Sequence, residues 1–355
     1  VSFIIVSDVN LIDNGMYHHH IRCVDIECGD TEMPQHFLLS AKARTLSVAK
    51  VARMTDEEAR AVFQAIRWAD NGGEAYCPKC GCTAVYAYKS RPIWKCQGCN
   101  AQFSVTSGTI FASRKLPLRD YLLAIALFVN GAKGVSALQL GRDLDVQYKT
   151  AFVLAHKLRE AMAADQHDAT VSGTVEVDGA YFGGYVKPEN RKEDRKDRRL
   201  SENQTGKRRV VVALRQRQGR TLPFVFKHEA DSLPTILDRV TEGSTILADE
   251  SSSWDDLHAR YEMGRVNHSV AFMDKGVCTN MVESFFSRLR RAEIGQHHHI
   301  SGRYLDCYAR EMAWREDTRR EANGTLFQMV AAAAANHPVS RQWKGYWQRS
   351  QATGR

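Results

Sequence analysis

Three carboxylates and one guanidinium are placed where they can do chemistry together. Asp178 closes the stretch TVEVD, Asp249 closes STILAD, and Glu283 lies one turn into TNMVESFFSRLRR, with Arg290 seven residues further on. A short alternating apolar run that ends in an acid puts that acid at the tip of a strand. Residues seven apart on a helix share a face two turns apart, so Glu283 and Arg290 look the same way. Phe285, Phe286 and Leu289 supply the apolar surface that seats this helix, and Asn280 is its candidate cap. Two acids on neighbouring central strands and a third on a helix can hold two Mg2+ or Mn2+ ions about 4 Å apart through hard oxygen ligands. Such a pair activates an oxygen nucleophile and stabilises the leaving oxygen of a phosphodiester, while Arg290 can hold a phosphate. Water as the nucleophile gives cleavage; a 3′-hydroxyl gives strand joining. Taken singly, each of these charges is as well explained by a turn, a cap or a solvated helix face, and only the combination points to catalysis.

The second constellation is CPKCGCTAVYAYKSRPIWKCQGC. Cys77 and Cys80 form one C-x2-C knuckle and, after fifteen intervening residues, Cys96 and Cys99 form another. Four thiolates at this spacing close a tetrahedral zinc site with no open position, so the metal is structural. Gly81 and Asn100 follow the knuckles and accept tight backbone turning. Cys82 is an extra thiol at the knuckle edge. The chain has nine cysteines, an odd number concentrated here, which speaks for a reducing compartment rather than a disulfide scaffold. Tyr86, Tyr88, Lys89, Arg91, Trp94 and Lys95 either touch DNA or pack and solubilise the ribbon.

Three helices are expected after the ribbon: Leu118 to Val129, a second capped by Ser136 and carrying Leu138 and Leu140, and a third from Tyr148 to Met162, with Gly141 to Val146 as the turn. This is the cadence of a helix-turn-helix, whose last helix would offer Gln147, Tyr148, Lys149 and Thr150 to a major groove. A plain helical packing unit is the alternative. From Thr174 the period becomes strand-like: TVEVDGAYFGG, RRVVVALRQ and LPFVFK, with QGR as a hairpin turn between the last two. A helix from Leu233 to Val240 then leads to the strand ending at Asp249. Three antiparallel strands, a helix and a parallel-type strand make a mixed α/β core.

At 355 residues, with 43% hydrophobic and 25% charged residues, the chain has room for two or three modules. No apolar run reaches the roughly 18 residues a bilayer span needs, so no membrane partner is expected. A formal charge of +8 favours a polyanionic partner. Residues 1–32 lack the basic n-region and small-residue cleavage site of a signal peptide and are expected to be a leader or an upstream-start extension. Within them Cys23, Cys28 and His18 to His20 show no recognisable second metal pair. Lys187 to Arg209 holds ten basic and five acidic residues, a mixed run that either engages phosphates, through Arg208 and Arg209 among others, or is only a solvated insertion. His268 either orients a phosphate or a ligand carboxylate, or is structural. His297, His298 and His299 are expected to serve a loop or DNA rather than a second metal. MVAAAAANHP is expected to be a terminal helix stopped by Pro338.

In order, MPQHFLLSAKARTLS, CPKC, CQGC, VEVDGAYFGG, ILADE, VNHS, TNMVESFFSRLRR and GQHHHISGRYLDCYAREMAWR resemble the ISXO2-like insertion-sequence transposases, and the resemblance covers Met33 to about Arg320. It implies a multidomain α+β and α/β protein: an N-terminal helical segment (33–72), a zinc ribbon (73–110), a helix-turn-helix-like segment (111–168), a ribonuclease-H-like mixed-sheet core (169–322) and a helical tail (323–355). It also implies that Asp178, Asp249 and Glu283 are the metal ligands of a D-D-E/N-K type site, with Mg2+ or Mn2+ as the catalytic ion beside one structural zinc. Arg290 stands where the family has lysine. WREDTRR places Glu316 and Asp317 where the family has other residues.

The expected function is therefore that of a DNA transposase, cytoplasmic and nucleoid-associated. It would bind element terminal inverted repeats, cleave, and transfer 3′-hydroxyl ends into target DNA as a homo-oligomer on double-stranded DNA. A catalytically decayed DNA-binding regulator and a metal-dependent nuclease that does not join strands are the competing readings.

Overall fold

The computed structural model describes residues 37–184, 191–197, 203, 205–267 and 278–352. His268, the leader with its cysteines and histidines, and much of the Lys187–Arg209 run lie outside the described residues.

Helices α1 (Val48–Ala52) and α2 (Asp56–Arg67) are the first α-helices among the described residues. A reciprocal capping box starts α2: the Thr55 hydroxyl accepts from the Glu58 amide, and the Glu58 carboxylate accepts from the Thr55 amide. Strands β1 (Val85–Ala87), β2 (Trp94–Cys96) and β3 (Gln102–Phe103) form the antiparallel ribbon. Trp94 packs edge-on against Trp68, ring centres 5.3 Å apart, and stacks on Phe103, so this aromatic serves the ribbon core, while Tyr86 stays exposed.

Helices α3 (Leu118–Asn130), α4 (Ala137–Asp143) and α5 (Tyr148–Met162) follow the expected cadence. The Ser136 hydroxyl caps α4 by accepting from the Gln139 amide at 3.1 Å. Two details differ from expectation. Gly141 lies inside α4, so the turn falls at Leu144 to Gln147, with Asp145 at a φ of 51°. Leu138 is exposed, whereas Leu140 is fully buried.

The core is a five-stranded mixed sheet of β4 (Thr174–Phe182), β5 (Arg209–Gln216), β6 (Thr221–Phe226), β7 (Thr245–Asp249) and β8 (Glu262–Val266), in the order β6-β5-β4-β7-β8. The first three are antiparallel; β7 and β8 run parallel to β4. One face carries Val175, Val177, Val212 and Ala248, covered by α6 (Leu233–Arg239) and a 3-10 segment with Trp254 and Leu257. The other carries Ala180, Phe182, Val211 and Ala213, covered by α7 (Asn280–Ala292) and α8 (Leu305–Asp317). Even-numbered residues of β4 therefore face α7 and α8.

Helix α9 (Asn323–Asn336) ends two residues before Pro338, as expected, but it is not terminal. Tyr346–Ala352 forms α10, and Phe327, Val330 and Ala334 of α9 join the same apolar core as α2, α3 and α5. Among the described residues no helix is long and apolar enough to cross a membrane.

Candidate active site and zinc centre

The sheet brings the two aspartates side by side. Val177 of β4 is in register with Ala248 of β7, so the next residues, Asp178 and Asp249, stand side by side on adjacent parallel strands. Asp249 is the last residue of β7, whereas Asp178 lies in the middle of β4, which runs on to Phe182, rather than at the strand tip that its sequence suggested. The Asp178 Oδ1 accepts from the Gly179 amide at 2.7 Å. The Asp249 Oδ1 accepts from the Trp254 indole at 2.7 Å and from the Ser251 amide at 3.1 Å. Arg265 of β8 donates to the carbonyls of Asp249 and Ser251, which fixes the loop leaving β7.

Helix α7 supplies the third acid. It starts at Asn280 with Thr279 as its N-cap residue, so Asn280 is the first helical residue rather than the cap. The Thr279 hydroxyl donates to Glu283 Oε1 at 3.2 Å. Burial pushes the Asp178 carboxyl up to about 7, and the negative charges of Asp249, Glu283 and Glu229 push it the same way. A carboxyl raised by burial and by neighbouring negative charge marks a candidate cation site. The carboxylate oxygens do not draw together within 4.8 Å as the four thiolates do. Two ions about 4 Å apart need ligands spread more widely than one tetrahedral ion does, and an all-oxygen donor set suits Mg2+ or Mn2+.

Two acids escaped the sequence reading. Glu229 follows β6, and its Oε2 accepts from the hydroxyls of Ser251 and Ser253 at 3.5 and 3.4 Å, a second hold on the Asp249 loop beside Arg265. It fits there because residue 179 is glycine: a Cβ would stand 2.7 Å from Glu229 Oε1. Glu176, two residues before Asp178, is fully buried against the start of α7. An acid just past a strand end was a usable signal for Glu229. For Glu176, the alternation of TVEVD suggested a solvated side chain.

Arg290 lies over the Phe182 ring at 5.9 Å, at the end of β4 beyond Asp178. Arg208 lies over Tyr181 at 4.5 Å, and Arg209 is in backbone register with Phe182 at the start of β5, its guanidinium donating to the carbonyls of Gly206 and Arg208. The rings that Arg208 and Arg290 cover, Tyr181 and Phe182, point to opposite faces of the sheet. Gln147, Lys149 and Thr150 are exposed at the N-terminus of α5, with the Lys149 ammonium 5.4 Å from the Trp347 ring. Glu316 and Asp317 have structural partners: Glu316 accepts from Arg288 of α7 and from Arg319, both at 2.7 Å, and Asp317 pairs with Arg215 of β5 and Thr221 of β6. His297 is half-buried and packs against Tyr308, ring centres 4.6 Å apart, and burial pulls it down to about 4, whereas His298 and His299 are exposed.

In the ribbon, the sulfurs of Cys77, Cys80, Cys96 and Cys99 all lie within 4.8 Å of one another, with Cys77 to Cys99 and Cys80 to Cys96 at 3.6 Å. Four sulfurs around a tetrahedral zinc at 2.3 Å stand roughly 3.8 Å apart, so the cluster is shaped for that ion. The Cys99 amide, donating to Cys96 Sγ, draws the Cys96 thiol down to about 6, while hydrogen bonds with the other three thiols push Cys80 up to about 12. Gly81 and Asn100 take positive φ of 73° and 58°, the turning their positions implied. Cys82 stays outside the cluster, its thiol directed to the Ala84 carbonyl.

Residues 54–102 match the transposase zinc-ribbon domain, and residues 170–317 match the ISXO2-like transposase domain. An uncharacterised protein in transposable element ISH50 of Halobacterium salinarum is 26% identical over 294 residues, spanning 79% of this chain and 97% of its own length. The two matched domains take in the four-thiolate ribbon and the whole of the mixed sheet with α7 and α8, and the chain belongs to the IS1595 family of transposases, with an N-terminal zinc ribbon and a DDE-type catalytic domain.

Proposed function

We propose that the chain binds the terminal repeats of its own insertion element, cleaves the DNA there, and joins the freed 3′-hydroxyl ends to target DNA as a homo-oligomer on double-stranded DNA. The observation that carries this reading is that Asp178 in the middle of β4 stands beside Asp249 at the end of β7, with the charges of Asp249 and of Glu283 on α7 near enough to add to the effect of burial in pushing the Asp178 carboxyl up. These carboxylates would hold two Mg2+ or Mn2+ ions, which when bound activate the attacking oxygen and stabilise the leaving one. Arg290 orients the scissile phosphate from the end of β4, and Arg208 and Arg209 contact DNA from the start of β5. Arg265 and Glu229 keep Asp249 in place through the loop that follows it. The ribbon and the exposed start of α5, with Gln147, Lys149 and Thr150, supply DNA contact away from the reacting atoms.

The pairing of Glu316 and Asp317 with Arg288 and Arg215 favours a maintained catalytic core over a decayed one. A strand-transfer reaction with purified protein, labelled element ends, a target plasmid and Mg2+ tests the proposal. Joined products are expected. Cut ends without joining would make the chain a nuclease, and bound but uncut ends would make it a DNA-binding regulator.

A further inference from the structure

The motif VEVDG contains an acid that the metal site leaves unused. Glu176 is 0% exposed, and its carboxylate is fully engaged. One oxygen, Oε2, accepts from the backbone amides of Met281 and Val282 in the first turn of α7, at 2.8 and 3.0 Å. The other, Oε1, accepts from the Arg217 guanidinium at 3.0 Å. Arg217 is itself tied down: its amide donates to the Thr174 carbonyl at the start of β4, and its guanidinium reaches the carbonyl of Cys278 just ahead of α7 at 3.2 Å.

Burying a carboxylate is costly unless it is paired and hydrogen-bonded. Here the compensation comes from one cation and from two amides that the helix start leaves without intrahelical partners. The placement matters more than the energy. Glu176 and Asp178 are two residues apart on β4 and share the face that α7 covers. Glu283 follows Val282 directly. The same strand face thus holds the start of α7 with one acid and meets the acid of α7 with the next, about 6.6 Å along the strand.

We propose that Glu176, braced by Arg217, is a positioning residue that sets Glu283 against Asp178 for metal binding. The inference rests on the reading of Asp178, Asp249 and Glu283 as the metal site. Glu176 acts through the reach and acceptor geometry of its oxygen, not through charge felt at the ions. That distinction orders two variants of the full-length protein. Glu176→Gln keeps a carbonyl oxygen where the two amides meet. Glu176→Asp keeps the charge but is one methylene too short to hold both.

Mn2+ titration of the DNA-free protein, followed by the electron paramagnetic resonance of the free ion, should give Glu176→Gln an affinity within about threefold of wild type and Glu176→Asp a loss of about tenfold or more. The Mg2+ concentration for half-maximal cleavage of labelled element ends should shift in parallel, with DNA-end affinity unchanged. The opposite order, or wild-type affinity in both variants, would overturn the proposal. If Glu176→Asp does not fold, Met281→Pro serves instead. It removes one clamped amide at a first-turn position that tolerates proline and leaves Glu176 in place. A loss of Mn2+ affinity is expected there too, and wild-type affinity would overturn the latch. Asp178→Asn separates the two claims: wild-type Mn2+ binding and cleavage in that variant removes the metal site itself, whereas their loss beside an unaffected Glu176→Asp removes only the latch.

Discussion

Gly179 shows how much of the site depends on what a residue lacks. It follows Asp178, gives its amide to that carboxylate, and leaves the space that Glu229 fills from the other face of the sheet. A methyl group at residue 179 would also stand 2.9 Å from Glu229 Cγ, too close for a simple turn of the carboxylate to relieve. Gly179→Ala should therefore cost about 1–3 kcal/mol and loosen the Asp249 loop. Adding Glu229→Ala should recover most of that loss, so the pair should be strongly non-additive in thermal denaturation. Additive losses would place the strain elsewhere. The motif aspartates could be found from sequence because each follows a short apolar run, although only Asp249 ends its strand and Asp178 lies within β4. Glu176 could not, because a buried, paired acid and a solvated one look alike in an alternating run.

At the scale of elements, helices α3 to α5 and strands β4 to β7 were legible, since apolar period, caps and turn residues agreed. Strand β8 was not. Glu262–Val266 carries only Met263 and Val266 as large apolar residues and sits at the sheet edge, where pairing to β7 rather than its own pattern makes it a strand. The place of α9 was equally hidden, because an alanine-rich helix has no stripe to say which module it serves. The ribbon, with short strands and few apolar residues, depends on its metal. Cys77→Ser or Cys96→Ser should abolish zinc retention by elemental analysis and weaken DNA-end binding, while the far-ultraviolet signal of the core persists. Stoichiometric zinc in either variant would contradict the four-thiolate assignment. For α5, Lys149→Ala should lower DNA affinity across sequences and flatten its log–log salt dependence by about one unit. An unchanged slope would assign Lys149 to its contact with Trp347 alone.

Across the whole molecule, the helical module and the catalytic core meet at buried charge and neutral histidine. Glu311 of α8 accepts from Arg159 of α5 at 2.6 Å and from Arg315 at 2.9 Å, and Arg315 reaches the Phe128 carbonyl of α3 at 2.7 Å. His156 of α5 stacks on Trp343 at 4.2 Å with neither ring nitrogen hydrogen-bonded, and burial together with Arg159 takes it down to about 2. His156 and His297 are thus neutral in the folded state well below the pH at which the unfolded chain protonates them. The unfolded state then binds more protons, so stability is full above about 6.5 and falls as pH drops, toward about 4 for His297 and toward about 2 for His156, by about 2 kcal/mol for each histidine at pH 5. Melting temperature should decline from pH 7.5 to 5, and His156→Phe should reduce that decline; an equally steep decline in the variant would move the acid sensitivity to other groups.

The central claim, that Asp178 and Asp249 of adjacent strands hold the metal ions for strand cleavage, is tested most directly by first-strand cleavage of labelled element ends in Mg2+ by purified Asp178→Asn and Asp249→Asn proteins, with DNA-end affinity measured alongside. Cleavage should fall to background in both, because an amide is a poor ligand for a hard cation, while end affinity stays near wild type through the ribbon and α5. Persistent Mg2+-dependent cleavage in either single variant would mean that the metal site lies on other residues.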